Sequence, residues 1–207
     1  MTTDDTMQLG IAETPGNGEA GQAFSAAPFY ASLSRVWDMP NSDTFDVPSI
    51  AGFVKKYLMR SKVSVDCFAR NKLWTTYTND LNPNTAAEYH MDAEDFLTML
   101  ADKGIVADLL ICDPPYSPRQ VKECYDSIGL PMKQTDALLG MTRKRLKAQI
   151  NRLVPVGGVV LHFGWNTVGM GKGWDIEEIM LVCHGSDHND TICMAERKTP
   201  ELQETFL

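Results

Sequence analysis

From Val47 to Glu196 the hydrophobic positions fall into alternating helix-like and strand-like blocks. Pro48 suits the first turn of a helix, where its missing N–H would have no partner anyway. Ile50, Phe53, Val54, Tyr57 and Leu58 then follow at helical spacing. Val63–Phe68 and Trp74–Thr78 read as short strands, the second closed by Asn79-Asp80. Ala86–His90 fits a helix end or a third short strand, and Ala93–Leu100 fits a helix. Ala107–Cys112 is an apolar run of the kind that forms a parallel strand buried on both faces. Thr135–Leu153 has the period of a long amphipathic helix. Val159–Phe163 is another buried strand, followed by a glycine-rich loop, Gly164 to Gly173. Glu178–His184 and Thr191–Glu196 flank the turn Gly185-Ser186-Asp187-His188-Asn189-Asp190 and predict a β-hairpin.

Strands alternating with helices, then a closing hairpin, predict an α/β fold: a doubly wound, mainly parallel sheet with an antiparallel C-terminal hairpin. Before residue 28 there is no periodicity, only Gly, Ala, Thr, Ser and acids, so this stretch reads as a flexible tail. Residues 28–46 carry Phe29, Tyr30, Trp37 and Phe45 among turn formers and read as an irregular arm packing on the body. The division expected is an acidic tail and arm at 1–42, one domain at 43–200 and a short tail at 201–207.

Charge changes this picture in one respect. The net charge is −8, which argues against binding a polyanion, but residues 1–46 account for −6 of it. In the rest, bases cluster at Lys55, Lys56, Arg60, Lys62, Arg70 and Lys72, and again at Arg143, Lys144, Arg145, Lys147 and Arg152. Phosphate contacts need local positive potential, not a basic total, although both clusters also fit ordinary solvated helix faces. The five cysteines are scattered without a CxxC pair and mostly lie in apolar stretches, as expected of reduced, mostly buried thiols. No apolar run reaches membrane-spanning length, so no membrane partner is expected and the location expected is cytoplasmic.

The chemistry concentrates in Leu109-Leu110-Ile111-Cys112-Asp113-Pro114-Pro115-Tyr116. An apolar strand delivers an acid to its carboxyl end, where open α/β sheets bind ligands. Two prolines then remove backbone donors and stiffen the turn, and an aromatic ring follows. A fixed acceptor, fixed carbonyls and a flat apolar face suit an exocyclic amino group on a nucleobase. Such an amine is a weak nucleophile because its lone pair is delocalised into the ring. Acceptors at Asp113 and the Pro114 carbonyl could hold both N–H groups and favour a pyramidal nitrogen. Tyr116 could stack on the base, a contact worth about 1–3 kcal/mol.

On these residues the chain resembles the amino-methyltransferases that act on DNA, over about residues 43–198. The resemblance implies a Rossmann-like methyltransferase fold with S-adenosyl-L-methionine as cofactor. Ser64-Val65-Asp66-Cys67-Phe68-Ala69 resembles the family's first motif, and implies that Asp66, Phe68 and Ala69 hold the methionine part of the cofactor. Thr78-Asn79-Asp80-Leu81 resembles the next strand end, whose acid, here Asp80 beside Leu81, binds ribose hydroxyls. His90-Met91-Asp92-Ala93 resembles the adenine-contacting site, which implicates Asp92 and Ala93. Phe45–Leu58 resembles the preceding helix, which implicates Phe45. Asp113, Pro114, Pro115 and Tyr116 resemble the catalytic clamp. Asp113 to Gly129 and Phe163-Gly164-Trp165-Asn166 are similar to small phage-encoded adenine methyltransferases, implying a host cytoplasm if the chain is phage-encoded. Substrate contacts are then expected from Tyr116, Ser117, Arg119, Trp165 and Asn166, after the adenine is rotated out of the DNA duplex. One departure stands out: the family's glycine after Phe-Ala is replaced by Arg70-Asn71, so Arg70 must keep an ordinary backbone angle or tolerate strain.

Three functions remain open on these residues: N6 methylation of adenine, N4 methylation of cytosine by the same geometry, or a noncatalytic relative that binds nucleic acid or a partner. A C5-cytosine mechanism is disfavoured because no cysteine follows a proline. Gly169, Gly171 and Gly173 lack the Lys-Ser/Thr of a nucleotide-triphosphate loop, and flexibility over the site is the reading preferred. Cys183, His184, His188 and Cys193 fit no standard zinc spacing and read as packing and turn residues, so no metal is expected. Little chain remains for a recognition region. Either Ser117–Gly140 and the Gly164–Gly173 loop read a short site, or recognition is lax, or a partner or second copy of the chain supplies it.

Overall fold

The computed structural model describes residues 31–132 and 140–200. Seven strands form one sheet: β1 (Ser32–Trp37), β2 (Ser64–Asp66), β3 (Tyr77–Thr78), β4 (Leu109–Cys112), β5 (Val159–Gly164), β6 (Trp174–Cys183) and β7 (Thr191–Lys198). Their order across the sheet is β1-β6-β7-β5-β4-β2-β3. β3, β2, β4 and β5 run parallel, β7 is antiparallel to β5 and β6, and β1 pairs parallel with β6. The expected α/β sheet with an antiparallel C-terminal hairpin is the one observed.

Among the described residues the α-helices are α1 (Pro48–Leu58), α2 (Ala93–Asp102), α3 (Pro118–Ser127) and α4 (Lys144–Leu153). β4 shows why its sequence is apolar throughout. Leu109 and Ile111 face one layer with Ile50, Phe53 and Val54 of α1. Leu110 and Cys112 face the other with Phe96, Leu97 and Leu100 of α2 and Leu146, Ile150 and Leu153 of α4. A strand covered on both faces has no solvent side to mark with polar residues. Four cysteines are buried free thiols and Cys124 is exposed.

Several elements differ from expectation. The arm at 28–46 is not irregular throughout, because Ser32–Trp37 joins the sheet as its edge. Arm residue Asp38 also accepts from Ser49 N at 2.9 Å, capping α1, whose own preceding residue, Val47, has no side-chain acceptor. The predicted Thr135–Leu153 helix begins only at Lys144. Residues 135–139 lie outside the described residues, and Gly140, at φ +46°, starts a separate 3-10 turn, Gly140–Thr142. A Cβ at Gly140 would meet Pro114 Cγ at 3.0 Å, so the glycine permits close packing on the Asp113 turn. Of Ala86–His90, only Tyr89 reaches the sheet, through a single parallel bridge to Asn79. Helix α3 was not anticipated, although Ser117 before Pro118 is a cap-and-first-turn signal; Ser117 Oγ accepts from Gln120 N at 3.2 Å. The Gly164–Gly173 loop, expected to be flexible, is pinned: Met170 is buried, and Lys147 Nζ donates to Gly169 O at 2.5 Å. At the hairpin, His184 bonds Asp38 O at 2.8 Å and Thr191 Oγ1 at 2.9 Å, tying the turn to the arm.

Candidate functional site

From β2 the chain moves outward to β3, then crosses back to β4 and β5 on the other side. The direction of winding therefore reverses between β2 and β4, and the strands' carboxyl ends part there into a cleft, as expected at such a switch point. The cleft has a volume of about 570 Å3. Cys67 and Phe68 after β2, Asp80 and Leu81 after β3, Asp92 and Ala93 at the start of α2, and Asp113 to Tyr116 after β4 all line it.

The β4 end carries the most unusual electrostatics. Pro114 and Pro115 have no N–H, so the Asp113 carboxylate finds no donor in the next two residues. It accepts instead from Tyr116 Oη at 2.5 Å. Burial pushes Asp113 up to about 6, against the opposing effect of hydrogen bonds from Tyr116 and Thr44. Burial and then the Asp113 charge drive Tyr116 well above the usual phenol range. The turn is held by Tyr116 N donating to Gln120 Oε1 at 2.7 Å, so α3 anchors the clamp it follows. Tyr116 meets Trp165 edge to face at 5.8 Å. Trp165, Asn166, His162, Pro114, Pro115 and Tyr116 share a smaller recess of about 30 Å3 beside the main cleft.

At the β2 end, Asp66 is buried and does not line the cleft. Its Oδ1 accepts from Phe68 N at 2.9 Å, and burial holds the carboxyl well above its ordinary range. Asp66 thus shapes the Cys67-Phe68 turn from behind. Arg70 resolves the question its sequence raised by tolerating the unusual angle, at φ +49°. Its N–H reaches Asp80 Oδ2 at 3.1 Å, and its guanidinium donates to Ser42 O at 2.7 Å. The left-handed conformation costs a non-glycine residue roughly 1–2 kcal/mol; two hydrogen bonds offset it. Asp80 also accepts from Asn82 N at 2.8 Å. Asp92 caps α2 through Glu94 N at 2.8 Å and lies 3.7 Å from Arg143.

Of the residues expected at the site, the main cleft gathers Phe68, Asp80, Leu81, Asp92, Ala93, Asp113, Pro114, Pro115 and Tyr116. Trp165 and Asn166 line only the adjoining recess. Asp66, Phe45 and Ala69 lie behind the wall: Phe45 is 4% exposed and packs on Trp74 and Phe163, and Ala69 is 1% exposed. Ser117 is occupied capping α3, and exposed Arg119 pairs with Glu123 at 2.8 Å along that helix; neither lines the cleft. The basic cluster at 143–152 is largely consumed by α2: Arg143 pairs with Glu94 at 2.7 Å, Arg145 with Asp95 at 2.8 Å and Arg152 with Asp102 at 2.7 Å. In the other cluster, Lys56 pairs with Glu178 and Lys72 with Asp46. Cleft residues missed from the sequence include Ser42, Gln120 and Cys124, whereas Arg70, marked by its place in the first motif, does line the cleft. Of those missed, only Gln120 carried a local signal, as part of the capped helix start.

The fold and the site define an open Rossmann-like α/β sheet with a ligand-sized cleft at its switch point. No protein-family model matches the sequence, and no curated protein matches it. Among solved structures, the chain is similar in path to a Streptococcus mutans protein assigned as an S-adenosylmethionine-dependent methyltransferase, at 11% identity and TM-score 0.46, covering 70% of this chain and 48% of that one. It is also similar to the Escherichia coli protein yhhF, assigned as a methyltransferase, at 10% identity and TM-score 0.48, covering 86% of this chain and 99% of that one. A third is TrmN from Thermus thermophilus, at 14% identity and TM-score 0.45, covering 73% of this chain and 49% of that one. The chain thus spans about half the length of the Streptococcus mutans and TrmN structures.

Proposed function

We propose that the chain transfers a methyl group from S-adenosyl-L-methionine to the N6 amino group of adenine in DNA. The observation that carries this reading is one cleft lined by the Asp113-Pro114-Pro115-Tyr116 turn, by Asp80 after β3 and by Asp92 at the start of α2. When bound, the cofactor supplies a methyl group already activated by its sulfonium. Asp80 and Asp92 would accept from its ribose and adenine, and the Cys67-Phe68 turn would hold its methionine end. Acids at Asp80, Asp92 and Asp113 favour a cationic ligand over the neutral thioether left after transfer.

On the acceptor side, Asp113 and the Pro114 carbonyl hold the amino hydrogens and turn the nitrogen lone pair toward the methyl carbon. With the cofactor bound, one displacement would form the nitrogen–carbon bond as the carbon–sulfur bond breaks, the sulfur keeping the electron pair. The proton lost from nitrogen passes to Asp113 or to water. Most of the rate gain comes from orienting two bound substrates. Tyr116 leaves its hydrogen bond to Asp113 when the amine takes that acceptor, and its ring stacks on the base. Trp165 and Asn166 line the recess on the acceptor's side.

Methylation of cytosine N4 uses the same clamp and is the alternative the geometry favours next. Arg70 weakens the noncatalytic reading, because it adopts the backbone angle that the replaced glycine would supply. The test is to incubate the protein with S-adenosylmethionine and DNA, digest the DNA to nucleosides and measure N6-methyladenine and N4-methylcytosine by mass spectrometry. N6-methyladenine is expected, and Asp113→Ala is expected to lower its formation by about 10²–10³-fold. Product from neither base, with cofactor bound, would remove the enzymatic reading.

A further inference from the structure

The sheet face beneath α4 contains a buried polar pair with no part in the chemistry above. His162 Nε2 lies 2.8 Å from Glu196 Oε2, and the two side chains are 5% and 4% exposed. A buried carboxylate is costly unless its acceptors are satisfied. The second donor to Glu196 Oε2 comes from the 165–173 loop: Met170 N, at 2.8 Å. The next residue back, Gly169, sits so close that an added Cβ would lie 2.4–2.6 Å from the Glu196 carboxylate. Lys147 of α4 holds the Gly169 carbonyl from the other side. One end of this loop follows β5 and carries Trp165, which packs edge-on against Tyr116. His162 lines the same recess as Trp165 and Tyr116.

We infer that Glu196 is a positioning residue. Held by His162, it clasps the loop at Gly169–Met170 and thereby fixes where Trp165 and Asn166 stand against the Tyr116 face of the clamp. This inference rests on the methyl-transfer reading for its consequence, but not for the clasp itself. Glu196 is far along the chain from the clamp, and its side chain bonds His162 and Met170, neither of which lines the main cleft. Its loss therefore changes presentation of the acceptor base and leaves the cofactor half of the site alone.

The experiment compares Glu196→Ala, Glu196→Gln and Gly169→Ala in the full chain. Gln keeps an oxygen for Met170 N and His162; Ala does not, and Gly169→Ala forces the loop and the Glu196 carboxylate apart while keeping both side chains of the pair. Hydrogen exchange by mass spectrometry reads the clasp without any activity. Because hydrogen bonds to charged groups are strong, the peptide holding Met170 is expected to exchange about tenfold faster or more in Glu196→Ala and Gly169→Ala. Peptides from β4 and α2 keep their protection, and Glu196→Gln resembles the parent. If the parent methylates DNA, kcat/KM for DNA falls by about a hundredfold in the two disruptive variants, the scale of a small misplacement at a reacting centre. Their S-adenosylmethionine Kd stays within about twofold, since no cofactor contact is touched. Unchanged exchange at Met170 in a folded Gly169→Ala protein overturns the clasp. Faster exchange with unchanged kcat/KM for DNA overturns the positioning role. A parent that methylates no base sinks the methyl-transfer reading alone, and the exchange data still decide the clasp.

Discussion

Asp66 and Asp113 both stand at the carboxyl end of a parallel strand, Asp66 as the last residue of β2, level with Ile111, and Asp113 just past β4, and yet they end in different situations. Asp66 is followed by residues that keep their amide hydrogens, and its carboxylate folds back onto Phe68 N. It is 2% exposed and absent from the cleft wall. Asp113 is followed by two prolines, has no amide to fold back on, and faces the cleft with only hydroxyl partners. The difference teaches that an acid at a strand end becomes available for a ligand when its own turn cannot satisfy it. Proline in the next two positions is therefore part of the site's electrostatics as well as of its rigidity.

Paired substitutions break this comparison most sharply. Asp113→Ala is expected to lower methyl transfer by about 10²–10³-fold, on the scale of removing a placed hydrogen-bonding group at a reacting centre. Asp66→Ala is expected to lower activity far less, by loosening the Cys67-Phe68 turn and raising the KM for S-adenosylmethionine, while lowering stability by about 1–3 kcal/mol, because Phe68 N loses its buried acceptor. Single-turnover rates and denaturant melts separate the two, and equal activity losses would erase the distinction.

The pH dependence gives the next largest effect. Asp113 is raised to about 6 by burial, and only when ionised is it a strong acceptor for the amino hydrogens that is able to take the proton lost from nitrogen. kcat/KM should then fall below pH 6, approaching about tenfold per pH unit. The stability effect runs the other way. A carboxyl raised above its unfolded value favours the folded state at low pH, and that contribution is lost as pH rises through about 6. Asp113→Asn should flatten this part of the stability curve, and calorimetry across pH 4–8 checks it.

Pro115→Ala sharpens the comparison with the smallest change. It restores an amide two residues after Asp113, the position from which Phe68 serves Asp66. If Asp113 then caps its own turn, activity falls by about tenfold, the worth of one charge-assisted hydrogen bond, with melting temperature little altered. No loss would mean that proline contributes stiffness alone.

What was legible from the sequence follows from local causes. The apolar runs at Ala107–Cys112 and Val159–Phe163 announce strands because burial on both faces leaves no polar alternation. The Pro-Pro step announces the clamp because missing donors are a property of residue type. Less legible was anything settled by distant partners. The α1 helix takes its cap from Asp38, the edge strand β1 is recruited by β6, and the 143–152 bases are claimed by acids on α2. Arg119 and Ser117 looked like substrate contacts beside the motif, but formation of α3 turns one along the helix and uses the other as its cap.

The sequence by itself determined the alternation of elements, the acid-proline-proline-tyrosine turn and the order of the three acids around it. The tertiary structure alone decided which of those acids meet in one cleft, that Arg70 bends as a glycine would, and that Glu196 reaches the loop bearing Trp165. The physical reason is that residue types fix which hydrogen bonds a segment lacks, whereas only packing brings the group that supplies them.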